Sequence, residues 1–302
     1  NADSQYPAMN ADGTRVAFQS DAATLVDDDT NGARDIFLRR RDTGATARVS
    51  LGAGGAEANG DSWAPAINGD GTVVAFVSDA TNLVAGDTNA VADIFVHDTA
   101  TGITERVSLG MADEDANAAS AGPALSADGT LVVFISEADN LVPGDTNECA
   151  DVFLYNRTTG VTTRLSVNAL GEQANAACRD AEISADGTTV AFSSLASNLA
   201  TGDTNDTYDI FVVTLDTGAM VCASRSWEGA FGDDGSFLPK LSADGRYVAF
   251  TTRATNLLLA LGGNGGDTNG KQDVYLCDLE GLFGPSLTLV SATALEQGNG
   301  DS

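Results

Sequence analysis

Apolar side chains recur at every second position in short runs, as in Arg15-Val16-Ala17-Phe18-Gln19 and Asp93-Ile94-Phe95-Val96-His97. Asp-Gly, Thr-Gly and Asp-Thr-Asn turns interrupt them. A period of two sends alternate side chains to opposite faces of a strand, and no stretch sustains the apolar stripe of a helix. The runs themselves repeat. Phe18, Phe76, Phe134, Phe192 and Phe250 are spaced by 58 residues, as are Gly13, Gly71, Gly129, Gly187 and Gly245. A fixed period of this kind marks an array of one supersecondary unit.

Each unit predicts four strands, which in the second unit fall near residues 64–67, 73–78, 93–97 and 104–108. Four-stranded units repeated radially are the blades of a β-propeller. The expected fold is therefore all-β, a five-bladed β-propeller of four-stranded antiparallel blades in a single domain over 1–302. Its units run approximately over 1–58, 59–116, 117–174, 175–232 and 233–298, and residues 299–302 return to the phase of the first four. Closure is expected by packing of blade five on blade one, or through a shared closing blade if the chain starts within a sheet.

The segments Ser-Ala-Asp-Gly-(Thr/Arg)-x-Val-Ala-Phe-x-Ser and Asp-(Ile/Val)-Phe-(Val/Leu), from Asn10-Ala11-Asp12-Gly13 to Asp273-Val274-Tyr275-Leu276, resemble the WD40-like repeat of TolB and its relatives. The resemblance covers all five units and implies a propeller in the periplasm or outside the cell. The chain differs from the family in having five units and an added Asn-Leu-x-x-Gly-Asp-Thr-Asn segment. Fold does not carry function with it.

Composition narrows the partners. With 43 acidic and 15 basic side chains the formal charge is −28, so phosphate backbones are repelled and nucleic acid is excluded as a partner. No apolar run approaches the roughly 18 residues of a membrane span. The absence of a signal sequence before Asn1 fits a processed, secreted or periplasmic protein as well as a trimmed chain. The only lysines are Lys240 and Lys271. Such a surface suits a saline medium or bound cations, and equally plain solubility.

Four cysteines occupy positions that hold other residues in the remaining units. In an exported chain they suggest two disulfides: Cys149 with Cys178, and Cys222 with Cys277. The alternative is four buried thiols. No Cys-x-x-Cys spacing exists, and His97, the single histidine, has no nearby cysteine, which argues against zinc.

The most chemical of the repeated features is Asp-Thr-Asn-x-x-x-Asp. It supplies Asp29, Asn31 and Asp35; Asp87, Asn89 and Asp93; Asp145, Asn147 and Asp151; Asp203, Asn205 and Asp209; and Asp267, Asn269 and Asp273. Side-chain oxygens at positions one, three and seven of a tight loop are the ligands a hard cation requires, so about one Ca²⁺ per blade is expected. The competing reading is turn chemistry, because Asp and Asn close Asx-turns without metal.

Where the first strands of blades one to three are small and apolar, blade four carries Arg179, Asp180 and Glu182, and blade five places Lys240 in the phase of Glu182. These charges are expected at or near the axial channel, as a salt-bridge cluster or a ligand site, with the linker as the alternative place for Arg179 and Asp180. The expected function is a non-catalytic binding or structural module, stabilised by calcium, with a protein or glycan partner or self-association through outer strands. The alternative is a carbohydrate-active enzyme, a glycoside hydrolase or lyase, using acids such as Asp180 and Glu182.

Overall fold

The computed structural model describes residues 2–226, 228–258, 270–281 and 285–291. Among them are five four-stranded sheets. Blade one holds β1 (Ser4–Met9), β2 (Arg15–Ser20), β3 (Asp35–Arg40) and β4 (Thr46–Arg48), and blade two holds β5 (Ser62–Ile67), β6 (Val73–Ser78), β7 (Asp93–Asp98) and β8 (Ile103–Arg106). Blade three holds β9 (Ser120–Leu125), β10 (Leu131–Ser136), β11 (Asp151–Asn156) and β12 (Val161–Arg164). Blade four holds β13 (Cys178–Ile183), β14 (Thr189–Ser194), β15 (Asp209–Thr214) and β16 (Ala219–Cys222), and blade five β17 (Ser236–Leu241), β18 (Tyr247–Thr252), β19 (Asp273–Asp278) and β20 (Ser286–Leu289). In every sheet the hydrogen-bonded order follows chain order.

The repeated Asp-Gly-Thr makes the first hairpin of blades one to four, and Asp244-Gly245-Arg246 that of blade five. Gly13 turns at φ 70°, where a side chain is disfavoured, and Asp12 Oδ1 accepts from Thr14 N at 2.8 Å and Thr14 Oγ1 at 2.6 Å. Asp70 with Thr72 and Asp186 with Thr188 do the same. The first strands begin two residues earlier than the alternation predicts. In β5, Ser62 and Trp63 pair with Ser78 and Val77, the register then shifts, and Ala66 pairs with Ala75. This bulge puts Ala64 at φ 50°, and the same position is left-handed at Tyr6, Gly122, Asp180 and Leu238.

Alternate residues of the middle strands make the core. Facing aromatic pairs such as Phe76 with Phe95 and Phe192 with Phe211 stack at centroid distances of 6.0 and 5.9 Å. The chain divides into two compact units, one of Asn1–Glu148 with Phe153–Arg164 and one of Cys149–Val152 with Leu165–Ser302. In the first unit, Ile36 and Leu38 pack with Val74 and Phe76, and Val96 with Val132 and Phe134. In the second, Ile210 and Val212 pack with Val248, Phe250 and Tyr275. The terminal overlap at 299–302 lies outside the described residues.

Candidate functional site

The Asp-Thr-Asn loops lead into the third strand of each blade, and their last aspartate is its first residue. Asp35 is fully buried. Its Oδ1 accepts from Ser50 Oγ at 2.5 Å, and its Oδ2 accepts from Asn31 Nδ2 at 3.0 Å. Asn31 Nδ2 also donates to Ala58 O at 3.1 Å, which ties the loop to the linker into the next blade.

Into this set comes a guanidinium from the fourth strand. Arg48 Nη1 lies 3.3 Å from Asp29 Oδ1, 3.2 Å from Asp35 Oδ2 and 2.7 Å from Glu57 Oε1. Blade two repeats the arrangement: Arg106 Nη1 is 2.9 Å from Asp87 Oδ1 and 3.1 Å from Asp93 Oδ2, while Nη2 pairs with Asp115. In blade three Arg164 Nη1 is 2.8 Å from Asp145 Oδ1, and Asp151, fully buried, accepts from Ser166 Oγ. Asn147 lies in that loop at the place of Asn31. The carboxylates do not fit a calcium ion as well in these blades, because the point where it would sit among them is held by a fixed positive charge.

Blades four and five depart from this pattern. Asp209 accepts from Ser224 Oγ at 2.6 Å and Asn205 Nδ2 at 2.9 Å, but Cys222 stands at the register of Arg48, opposite Phe211, and Phe231 stands at the place of Glu57. A displaced arginine, Arg225, lies 3.8 Å over the Phe231 ring and donates from Nη2 to Thr201 O at 2.9 Å. In blade five Leu289 faces Tyr275 at the arginine register, and Asp273 accepts from Ser291 Oγ at 2.6 Å. Asp267 and Asn269 lie outside the described residues. Among the described residues no three acidic, cysteine or histidine side chains are grouped to hold a metal ion.

Burial dominates the electrostatics. It raises Asp29, Asp87, Asp145 and Asp203 above the usual carboxylate range and pushes Asp209 up to about 6. At the rim the Thr30 hydroxyl and amide, with Arg48, hold Glu57 down to about 2.

The charged residues of the first strands come together within the second unit as two pairs. Lys240 Nζ donates to Glu182 Oε2 at 2.5 Å. Arg179 Nε is 3.5 Å from Asp180 Oδ2, and Asp180 also accepts from Ser193 Oγ at 2.9 Å. The Arg179 guanidinium lies 3.8 Å from the Tyr208 ring centre and 4.7 Å from that of Phe237. All four are strand residues, Arg179 and Asp180 included, since the bulge extends β13 back to Cys178. Tyr208 and Phe237 were missed from sequence. The signal was present, because Tyr208 replaces Arg34, Ala92 and Ala150 at its repeat position.

Cys149, Cys178, Cys222 and Cys277 form no disulfide in the structure, against the expectation of two. Cys178 takes the place of Ser4, Ser62, Ser120 and Ser236, and its Sγ donates to Ser194 Oγ at 3.3 Å as Ser62 does to Ser78. Cys222 Sγ contacts Ser224 Oγ at 3.5 Å, and Cys277 is packed in the core of the second unit.

The fold recurs in solved structures. TolB from Acinetobacter baumannii matches over 95% of this chain and 54% of its own, at 18% identity and a TM-score of 0.51. A putative TolB from Agrobacterium tumefaciens matches over 95% and 80%, at 14% and 0.53. The fold is that of a TolB-type propeller. An oligogalacturonate lyase solved with manganese shares it too, over 95% and 65% of the two chains, at 14% identity and a TM-score of 0.56. At these identities the likeness concerns the TolB-type fold alone, and the chain spans about half the length of the Acinetobacter protein. No protein-family model and no curated protein matches the sequence. Among the described residues no helix is long and apolar enough to cross a membrane.

Proposed function

We propose that this chain is an exported, non-catalytic binding propeller that recognises a protein or glycan partner through its first strands. The supporting observation is the bulge position. Tyr6 and Leu238 hold left-handed backbone while exposing 66% and 56% of their surface, although Gly122 shows that glycine is accepted there. A strained backbone retained under an exposed apolar side chain is explained by what that side chain touches. Beside Leu238, Arg179, Lys240 and Phe237 add charge and an aromatic face. The acidic composition and the TolB-type repeat support export.

The enzyme reading has less support. Both candidate acids are already engaged within the protein, Glu182 by Lys240 and Asp180 by Ser193 and Arg179. The reading is tested by screening glycans and candidate proteins against the wild type and Arg179→Ala/Lys240→Ala. Binding that weakens in the variant, without turnover of any glycan, is expected. Sugar release lost in Asp180→Asn or Glu182→Gln would replace the proposal with catalysis.

A further inference from the structure

In the first unit a groove of about 710 Å³ opens beside the fourth strands of blades one and two. Its walls are Leu51, Leu83, Val84 and Ile103, and His97 also lines it. The volume is in the range of small-molecule sites, roughly 300–1,000 Å³, which are mostly apolar with a few placed polar groups. The next repeat has the corresponding groove at about 310 Å³. Six lining positions differ: Ala53, Gly54, Gly55, Ala85 and His97 in the larger groove stand where the bulkier Met111, Ala112, Asp113, Pro143 and Tyr155 stand in the smaller, and only Ile103 exceeds its counterpart, Val161. The larger groove is thus hollowed out by small residues that the repeat does not require.

Its one imidazole is held in a defined state. The Thr104 hydroxyl has a single proton, which it donates to Leu51 O at 2.5 Å, so its oxygen accepts from His97 Nδ1 at 3.0 Å. Nδ1 therefore carries the proton and Nε2 offers a lone pair. His97 is 6% exposed, and burial lowers its pKa and favours this neutral form. Nε2 has no hydrogen-bond partner among the described residues, and it is not one of the sealed, unpaired polar atoms of the interior.

We propose that this groove binds a small, largely apolar molecule carrying one hydroxyl or N–H donor, which it gives to His97 Nε2. The walls take the apolar body. The acceptor sets orientation and discriminates against molecules without a donor. This site is separate from the first-strand surface and stands or falls independently of it.

The test uses 1-naphthol and 1-methoxynaphthalene, which share a body but differ in the donor, followed by amide chemical shifts. Naphthol is expected to shift Gly54, Gly55, Val84 and Thr104, and the ether to bind roughly two- to tenfold more weakly, the range of one net hydrogen bond. His97→Phe keeps a ring but removes the acceptor, and should abolish the preference. Ala53→Met with Ala85→Pro imports residues the neighbouring repeat carries and should remove both probes. Equal binding of the two probes to the wild type overturns the proposal without any variant. So do shifts that map elsewhere, or a preference that survives His97→Phe.

Discussion

Arg48 Nη1 lies 2.7 Å from Glu57 Oε1, and in the fourth blade both partners are replaced, the arginine by Cys222 and the glutamate by Phe231. The intermediate blades keep Arg106 with Asp115 and Arg164 with Gln173. The loss of charge is matched on both sides, and the arginine reappears three residues later as Arg225, stacked on the new phenylalanine. Repetition supplies internal controls: what one blade does without, another can be tested for.

Arg106→Met should destabilise the protein by about 3–5 kcal/mol, because it leaves Asp87 and Asp93 buried without their cation. Arg106→Cys with Asp115→Phe and Leu109→Arg transplants the blade-four arrangement and should recover at least half of that loss. Urea unfolding of the two variants decides it. Equal damage in both would mean that Arg225 does not serve its blade as Arg106 does.

Asp209 gives blade four a pH dependence opposite to that of a paired carboxylate. Its folded pKa, about 6, lies above the ordinary aspartate value, so the folded state binds more protons in between. The contribution to stability is present below the unfolded value near 4 and is lost as pH rises through 6. It amounts to on the order of 3 kcal/mol. Stability of the wild type should fall with pH across this window relative to Asp209→Asn, in paired denaturation curves from pH 4 to 7.

Calcium remains a proposal for the fourth loop, where Asp203, Asn205 and Asp209 have no guanidinium within salt-bridge distance among the described residues. Calcium should raise the Tm of the wild type, and Asp203→Asn should abolish the rise while Asp29→Asn leaves it. A rise that depends on Asp29 instead would mean that the arginine-filled loops also take the ion.

Leu238→Gly should stabilise the fold by about 1 kcal/mol, since it relieves a left-handed residue whose side chain is more than half exposed. The same change should weaken partner binding if the bulge is a recognition position. Stabilisation without any loss of binding would separate the strain from function.

The repeat made the architecture legible because a 58-residue period and its alternation both follow from strand geometry. It also displayed Arg48, Arg106 and Arg164 at a fixed interval, but composition hides which charges share one cavity. The Asp-Thr-Asn loops therefore read as a cation site, while the cation that neutralises them in three blades lies in the following strand. Asp180 and Arg179 were placed less securely, because a bulge with left-handed backbone carries no side-chain signature when tyrosine, alanine, glycine, aspartate and leucine all occupy it.

Thiol chemistry separates the cysteines. Burial pushes Cys178, Cys222 and Cys277 up to about 12, so little thiolate forms at pH 8. Cys149 is only half-buried. A thiol reagent on the native protein should modify Cys149 quickly and the other three only as fast as the chain opens, with mass spectrometry of the labelled peptides as the readout. In Cys149→Ser the fast phase should vanish and the slow phase remain. Rapid labelling of Cys222 would place it at the surface and weaken the account of blade four, whereas a Cys149 that resists labelling until reductant is added would point to a disulfide with Cys178.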